Sequence, residues 1–389
     1  MLQALNSGDR EVVGDYIARY GRGESVDDVL RVARQTGRLD LVEIVASEPL
    51  RLQFIVRSAA ANLRLLGILE VENADPARVT FSLPWTPVPP GASVIGFDVD
   101  ATARARVVAT VAEKLRQLYV LPEPATEMAE SLMNGLRTGG YDGLSNGWSF
   151  ANELTEDLRR IKPDLHLFVG FSPIAGGPAM PTPSVARPRP VNPSDCGFER
   201  VEMLDGNVGY IKISELADPA RCGTKAADVL RSIGGARAVI FDLRDTLGGN
   251  AGMSMLLYAQ LFDSPARVSA VQRRDSAQAQ ELRWAERVGD VRLTTAPVYV
   301  LTSAQTFSGA EAFAYDLQVL QRASIVGETT KGGAHMPQIE RIDERFVLSV
   351  PRARAVNPIT GTNWEGVGVR PDVAVPAGDA LPTALRLAR

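Results

Sequence analysis

Histidine and cysteine are the scarce residues of this chain, with two of each among its 389 residues: His166, His335, Cys196 and Cys222. Neither histidine belongs to a helical metal-ligand pair and the cysteines are far apart, so no structural zinc and no other metal site is expected. No apolar run approaches the ~18 residues that would span a bilayer. The opening MLQALNSGDREVVGDYIARY lacks the basic, apolar and small-residue regions of a signal peptide. The chain is therefore expected to be cytoplasmic, or periplasmic or secreted if a signal was removed before its first residue. Lys and Arg form no block, and 42 of them face 46 Asp and Glu for a net charge of −4. That leaves nothing for a phosphate backbone to bind, so nucleic acid is excluded as a partner. Two free thiols, or one disulfide across the strand-like run NVGYIKI, both remain open, since each cysteine sits on a segment that reads as a loop.

What is present is the material of a folded protein. Hydrophobic residues make up 45% and charged residues 23%, enough for more than one core. Residues 1–92 read as a small α+β module. Two amphipathic helical stretches, with Ser25 as expected N-cap and Gly37 as expected C-cap, precede four strand-like runs from LDLVEIVAS to ARVTFSL. PWTPVPPGAS reads as a linker, and the order of elements is similar to that of NTF2-like modules. Residues 93–170 read as a helical subdomain that ends in the strand LHLFVGFS. Residues 171–200 read as a Pro-rich loop.

Residues 201–389 alternate between strands and helices. VGYIKI, RAVIFDLR, VYVLTS and SIVGE are strands, separated by ADVLRSIG, MSMLLYAQLF and SGAEAFAYDLQVLQ. This pattern predicts an α/β core with parallel crossovers.

Two places in that core could carry chemistry. In VYVLTSAQTFSGAE a buried strand ends, a short turn follows, and Ser308 opens a helix beside Gly309. A serine there lies near free N–H groups and the positive end of a helix dipole, which suits an oxyanion hole, although an ordinary N-cap serine looks the same. In VIFDLRDTLGGN another buried strand runs into Gly248 and Gly249, where the backbone can approach a ligand. In isolation this too reads as a glycine turn. Ligand sites in α/β sheets gather at the carboxyl ends of strands, so the two turns reinforce each other.

The runs DLRDTLGG, TFSGAEAFAYDLQVLQRASIVGETTKGGAH and EGVGVRPDVAV resemble, in order and spacing, the tail-specific (C-terminal processing) serine protease clan. The spelling of GETTKGGAH, with EDLRRIKPDLHL upstream, is most similar to the branch named for interphotoreceptor retinoid-binding protein. The resemblance covers about residues 100–389, without a PDZ-like domain. It implies a ClpP/crotonase-like α/β core preceded by a helical subdomain. It also implies a serine peptidase with no cofactor, acting on peptide or unfolded-protein substrates. Ser308 matches the nucleophile, and Gly248, Gly249 and Gly309 match the oxyanion-hole donors. Tail-specific members activate the serine with a lysine, but that slot holds Gly333 here and Lys331 lies two residues early. Tricorn-like members use a histidine from a D-x-H segment and a glutamate before the terminal PD. Those positions are His166 and Glu365, with Leu165 where the tricorn pattern has a serine. His335 is the competing base. The alternative implied by the branch's namesake is a carrier of hydrophobic ligands, such as retinoids or fatty acids, that has lost the chemistry.

Overall fold

The computed structural model describes residues 1–389 except 22–24, 61, 74–77, 93, 95, 175–194, 275–279 and 282–291. Three short helices open the chain: α1 (Leu2–Ser7), α2 (Arg10–Tyr20) and α3 (Val26–Thr36). Gly37 stops α3 in the left-handed region at φ 61° and donates its N–H to the Ala33 carbonyl. An antiparallel meander follows, β1 (Leu39–Glu48), β2 (Arg51–Ser58), β3 (Leu63–Val71) and β4 (Val79–Val88). The expected linker PWTPVPPGAS therefore begins too early, because β4 takes in its first five residues. An edge strand can do so, since proline deprives it only of donors on one side.

The two faces of the N-terminal sheet are covered differently. One face of its sheet, with Leu39, Phe54, Val56 and Leu65, is covered by α1 in a small cluster of its own. The other face places Ile55, Leu66, Ile68 and Val88 in one continuous core with Phe97, Val107 and Trp148. Strand alternation reveals that a sheet has two faces, but not what covers each.

The helices of that shared core are α4 (Ala101–Leu118), α5 (Pro122–Arg137) and α6 (Gly147–Ile161). Asp100 and Asn146 cap α4 and α6 through their side chains, and Pro122 starts α5. The chain then turns through His166 into β5 (Phe168–Phe171). The Pro-rich loop expected over 171–200 is narrower than that. Ile174 still bridges Val94, residues 175–194 lie outside the described residues, and β6 (Phe198–Leu204) has begun by 198.

The core holds a six-stranded sheet. After β6 come β7 (Val208–Ile213), α7 (Pro219–Ser232), β8 (Ala238–Asp242) and α8 (Ala251–Tyr258). Two short strands follow, β9 (Ala270–Arg273) and β10 (Gln280–Glu281), and then β11 (Val298–Thr302), α9 (Gly309–Val319) and β12 (Ala323–Gly327). With the terminal β15 (Val373–Ala374) the order is β15-β12-β11-β8-β7-β6, parallel except for β6. Every residue of β8 and β11 is buried, which is why both read as unbroken apolar runs. The fold is α/β, as the alternation predicts.

The alternation does not reveal a second, antiparallel sheet built on β14 (Phe346–Val356). β13 (His335–Arg341) pairs with β14, while β9 and β5 pair with its two halves. Strand β14 thereby joins the helical subdomain to the core and sets His166, just before β5, against His335, the first residue of β13.

Cys196 and Cys222 form a disulfide with Cα atoms 5.6 Å apart. It ties the entry of β6 to the first turn of α7, so Cys222 lies on a helix and not on the expected loop.

Candidate active site

Two turns at the carboxyl ends of β8 and β11 build the floor of a cleft, and hydrogen bonds stitch them together. Thr306 Oγ1 donates to the Leu243 carbonyl at 2.9 Å, and the Phe307 N–H donates to the Thr246 carbonyl at 3.0 Å. The Thr246 hydroxyl is itself anchored on the Ile213 carbonyl. Ser308 follows at φ 55° and ψ −119°, a conformation costly for any residue with a Cβ. Three residues into α9, Glu311 accepts the Ser308 N–H at 2.8 Å.

Glu311 does more than cap. Its fully buried carboxylate also accepts the N–H groups of Gly332 (2.6 Å) and Gly333 (2.8 Å) and the Thr330 hydroxyl (2.5 Å). Burial pushes its pKa up, and these four donors pull the other way. The loop 330–333 is thus fastened to α9 by one side chain, a role its position in TFSGAE does not reveal.

The glycines divide into two roles. A Cβ on Gly248 would lie 2.8 Å from Ser308 Cβ and 2.9 Å from the Gly309 nitrogen. Gly248 therefore gives the Ser308 side chain room, while Gly249, Gly309 and Ser308 line the cleft. A Cβ on Gly309 would come within 3.2 Å of the Gly249 nitrogen, so the two backbones are in contact. The turn is held from behind by the Gly248 carbonyl and the Asn250 N–H, both bonded to Leu216.

His166 Nε2 lies 3.0 Å from Ser308 Oγ. The ring stacks on Phe307 at a centroid distance of 4.5 Å, and its backbone is pinned at both ends. The His166 N–H donates to Asp164 Oδ1, and the His166 carbonyl accepts from Ser349 Oγ on β14. Burial lowers the ring's pKa to about 4, opposed by the charge of Asp164 and reinforced by His335 and Arg159. At neutral pH the imidazole is uncharged and can accept the serine proton. Its Nδ1 is buried and has no hydrogen-bond partner. Leu165, in the slot of the tricorn serine, offers no hydroxyl to it.

The other sequence-predicted residues fall into place around this pair. Glu365 does not hydrogen-bond the His166 ring as expected of an orienting acid. Its Oε2 is taken by the N–H groups of Ala334 (2.6 Å) and His335 (3.1 Å), and its Oε1 is buried without a partner. Burial and the nearby Asp164 push its pKa up. His335, the competing base, points its Nδ1 at Asp164 Oδ2 (2.5 Å), which also receives the Tyr119 hydroxyl (3.0 Å). Burial alone would raise the Asp164 carboxyl, but His335 and Tyr119 among its partners hold it below the usual range. Asp164, His335 and Glu365 bring their ligand atoms within 4.8 Å of one another. Hydrogen bonds already hold that cluster together.

Space is tight at the lysine slot. A Cβ on Gly333 would sit 2.2 Å from Phe307 Cε2 and 2.8 Å from His166 Cε1, and the Gly333 carbonyl is tied to the Trp364 indole at 2.9 Å. A side chain in the lysine slot would have to displace the Phe307 or His166 ring. Lys331, two residues earlier, lies with its Nζ 5.4 Å from the centre of the Phe307 ring.

The profile of peptidase family S41 matches residues 207–375, which span β7 to β15 and include Ser308 and Glu365. The chain carries a peptidase family S41 domain. Relatives agree with this. The chloroplastic carboxyl-terminal-processing peptidase 1 of Arabidopsis thaliana is 30% identical over 280 residues, covering 70% of this chain and 54% of its own length. The carboxy-terminal processing protease CtpA of Bacillus subtilis is 28% identical over 154 residues, 39% of this chain and 32% of its own. The chain thus spans about half or less of these relatives. The crystal structure of a Parabacteroides merdae protein superposes with a TM-score of 0.54 at 14% identity, covering 73% of this chain and 96% of that one. That likeness concerns the fold alone.

Proposed function

We propose that this S41 chain is a serine peptidase that cleaves peptide or unfolded-protein segments by acyl transfer through Ser308. The observation that carries the reading is the 3.0 Å approach of His166 Nε2 to the hydroxyl of a serine held at a strained helix start. The neutral imidazole removes the serine proton as Oγ attacks the scissile carbonyl, then returns it to the leaving amine. The N–H groups of Gly249 and Gly309 receive the oxyanion, aided by the dipole of α9. Glu365 acts on the histidine indirectly. Its Oε2 fastens the Ala334 and His335 N–H groups, His335 holds Asp164, and the charge of Asp164 favours the imidazolium. The reading needs no metal or organic cofactor.

The disulfide supports an oxidising compartment such as the periplasm or the exterior. The ligand-carrier alternative gains no support, because the cleft beside Ser308 contains a buried carboxylate, Asp316. A fluorophosphonate probe with peptide mapping tests the proposal. Labelling at Ser308 is expected, and an unlabelled chain that binds retinoid or fatty acid would refute it.

A further inference from the structure

The cleft beside the nucleophile is a cavity of about 570 Å³, and α9 forms one of its walls. Ser308, Ala312 and Asp316 recur every four residues and present one stripe of the helix to it. At 1.5 Å per residue, Asp316 lies roughly 12 Å along the axis from Ser308, with its side chain leaning back toward the helix start. Met255, Val271, Met336 and Ala312 add apolar wall to the same cavity.

The far end is polar and acidic. Asp316 is 3% exposed, and its Oδ1 accepts the Ser269 N–H (3.0 Å) and hydroxyl (2.6 Å), with Asn357 Nδ2 at 3.4 Å. Its Oδ2 has only a long contact, 3.4 Å, from the Tyr258 hydroxyl. A carboxylate has about four acceptor positions, so this oxygen retains capacity. Ser254 Oγ lines the same cavity, 4% exposed and without a hydrogen-bond partner. No Lys or Arg lines the cavity among the described residues. Burial pushes the Asp316 pKa up to about 6, as expected of a carboxylate lacking a cation.

We infer that Asp316 determines specificity: the cavity receives the side chain of the residue that donates the scissile carbonyl, and that residue is lysine or arginine. Such a side chain reaches roughly 6–7 Å from its Cα. Its methylenes lie along the apolar walls while the cation meets Asp316 Oδ2 and Ser254 Oγ. A glutamate would be repelled, and a leucine would leave both polar groups unpaired.

This inference rests on the peptidase reading, and its test separates the two. The full chain is assayed on fluorogenic peptides that differ only at the residue before the cleaved bond: Lys, Arg, Leu, Ala or Glu. The expected kcat/KM for Lys and Arg exceeds that for Leu by about tenfold or more, with Glu the poorest. Asp316→Asn should lower the basic substrates about tenfold and leave Leu within about threefold. Should that variant fail to fold, benzamidine on the wild-type chain gives a second readout, expected as competitive inhibition of Lys substrates. Turnover in which Leu or Ala is preferred, or in which benzamidine does not compete, overturns the inference and leaves the peptidase reading intact. Silence on every peptide, with Ser308 unlabelled by fluorophosphonate, overturns both.

Discussion

Nε2 of His166 and Oγ of Ser308 lie 3.0 Å apart, although 142 residues separate them in the chain. The pairing depends on β14, which accepts β5 along one half and presents Ser349 to the His166 carbonyl. If the pair is the catalytic one, Ser308→Ala abolishes fluorophosphonate labelling and peptide turnover. His166→Ala lowers kcat on the order of a thousandfold, because an unactivated hydroxyl is a poor nucleophile at neutral pH. Lys331→Ala, which removes a contact with Phe307, changes kcat less than about threefold. A chain silenced by Lys331→Ala and spared by His166→Ala would reverse the assignment.

How much of this was legible in the sequence depends on the range of the interaction. The strand, turn and helix around Ser308 are legible because they are consecutive in the chain, but an ordinary N-cap serine reads the same, and only the resemblance singles Ser308 out. His166 was reached only through a resemblance, since no local pattern marks a histidine before an edge strand. Asp164 and His335 pair across 171 residues, and nothing in either neighbourhood announces the other. Glu311 was hidden in plain view: a glutamate three residues into a helix reads as a cap, and its grip on Gly332 and Gly333 arises only when the loop folds back. The N-terminal sheet shows the same limit, because alternation marks Ile55 and Leu66 as inward without saying that α4 and α6 are what they meet.

Gly333 provides a steric test. Its missing side chain leaves room for the stacked rings of Phe307 and His166, so even a methyl group must displace one of them. Gly333→Ala is expected to lower kcat by about a hundredfold or more with a smaller change in KM, since it moves the base away from the serine. Gly333→Lys, which places a lysine in the tail-specific slot, should be no more active than Gly333→Ala. A Gly333→Ala enzyme of wild-type activity would show that the rings yield without consequence.

The acid limb of the pH profile reports the same histidine. Burial lowers its pKa from the ordinary 6.5 to about 4, so the active neutral form persists well below pH 6. The expected kcat/KM on an uncharged peptide stays level to about pH 5 and then falls with an apparent pKa nearer 4 than 6.5. The sign for stability follows. The proton prefers the unfolded chain, so the ring's contribution is intact above pH 6.5 and is lost as pH falls from 6.5 toward 4. An acid limb centred near 6.5 would mean that the ring is solvated in the working enzyme.

Deleting residues 1–92 should not release an independent core. Ile55, Leu66, Ile68 and Val88 are buried in one cluster with Phe97 and with residues of α4 and α6. Each such side chain contributes roughly 1.5–3 kcal/mol on burial. The truncated chain would expose their apolar partners, and loss of soluble protein is the expected outcome on expression. A soluble, monomeric and active truncation would refute the shared core.

The disulfide offers the last test, and it bears on the S41 domain itself. Cys196 and Cys222 close a loop with a sequence separation of 26 residues that contains β6, β7 and the entry to α7. Closing a loop of that size restricts the unfolded chain, an effect of about 3 kcal/mol in the chain-entropy description. Cys196→Ser combined with Cys222→Ser should therefore lower the unfolding midpoint while leaving kcat near wild type, since neither cysteine lines the cleft. The double variant keeps both positions small and avoids an unpaired reactive thiol. Reduction of the wild-type chain under mild conditions should reproduce the same loss, and reoxidation should restore it. If the double variant and the oxidised wild type melt together, the bond contributes nothing measurable to stability.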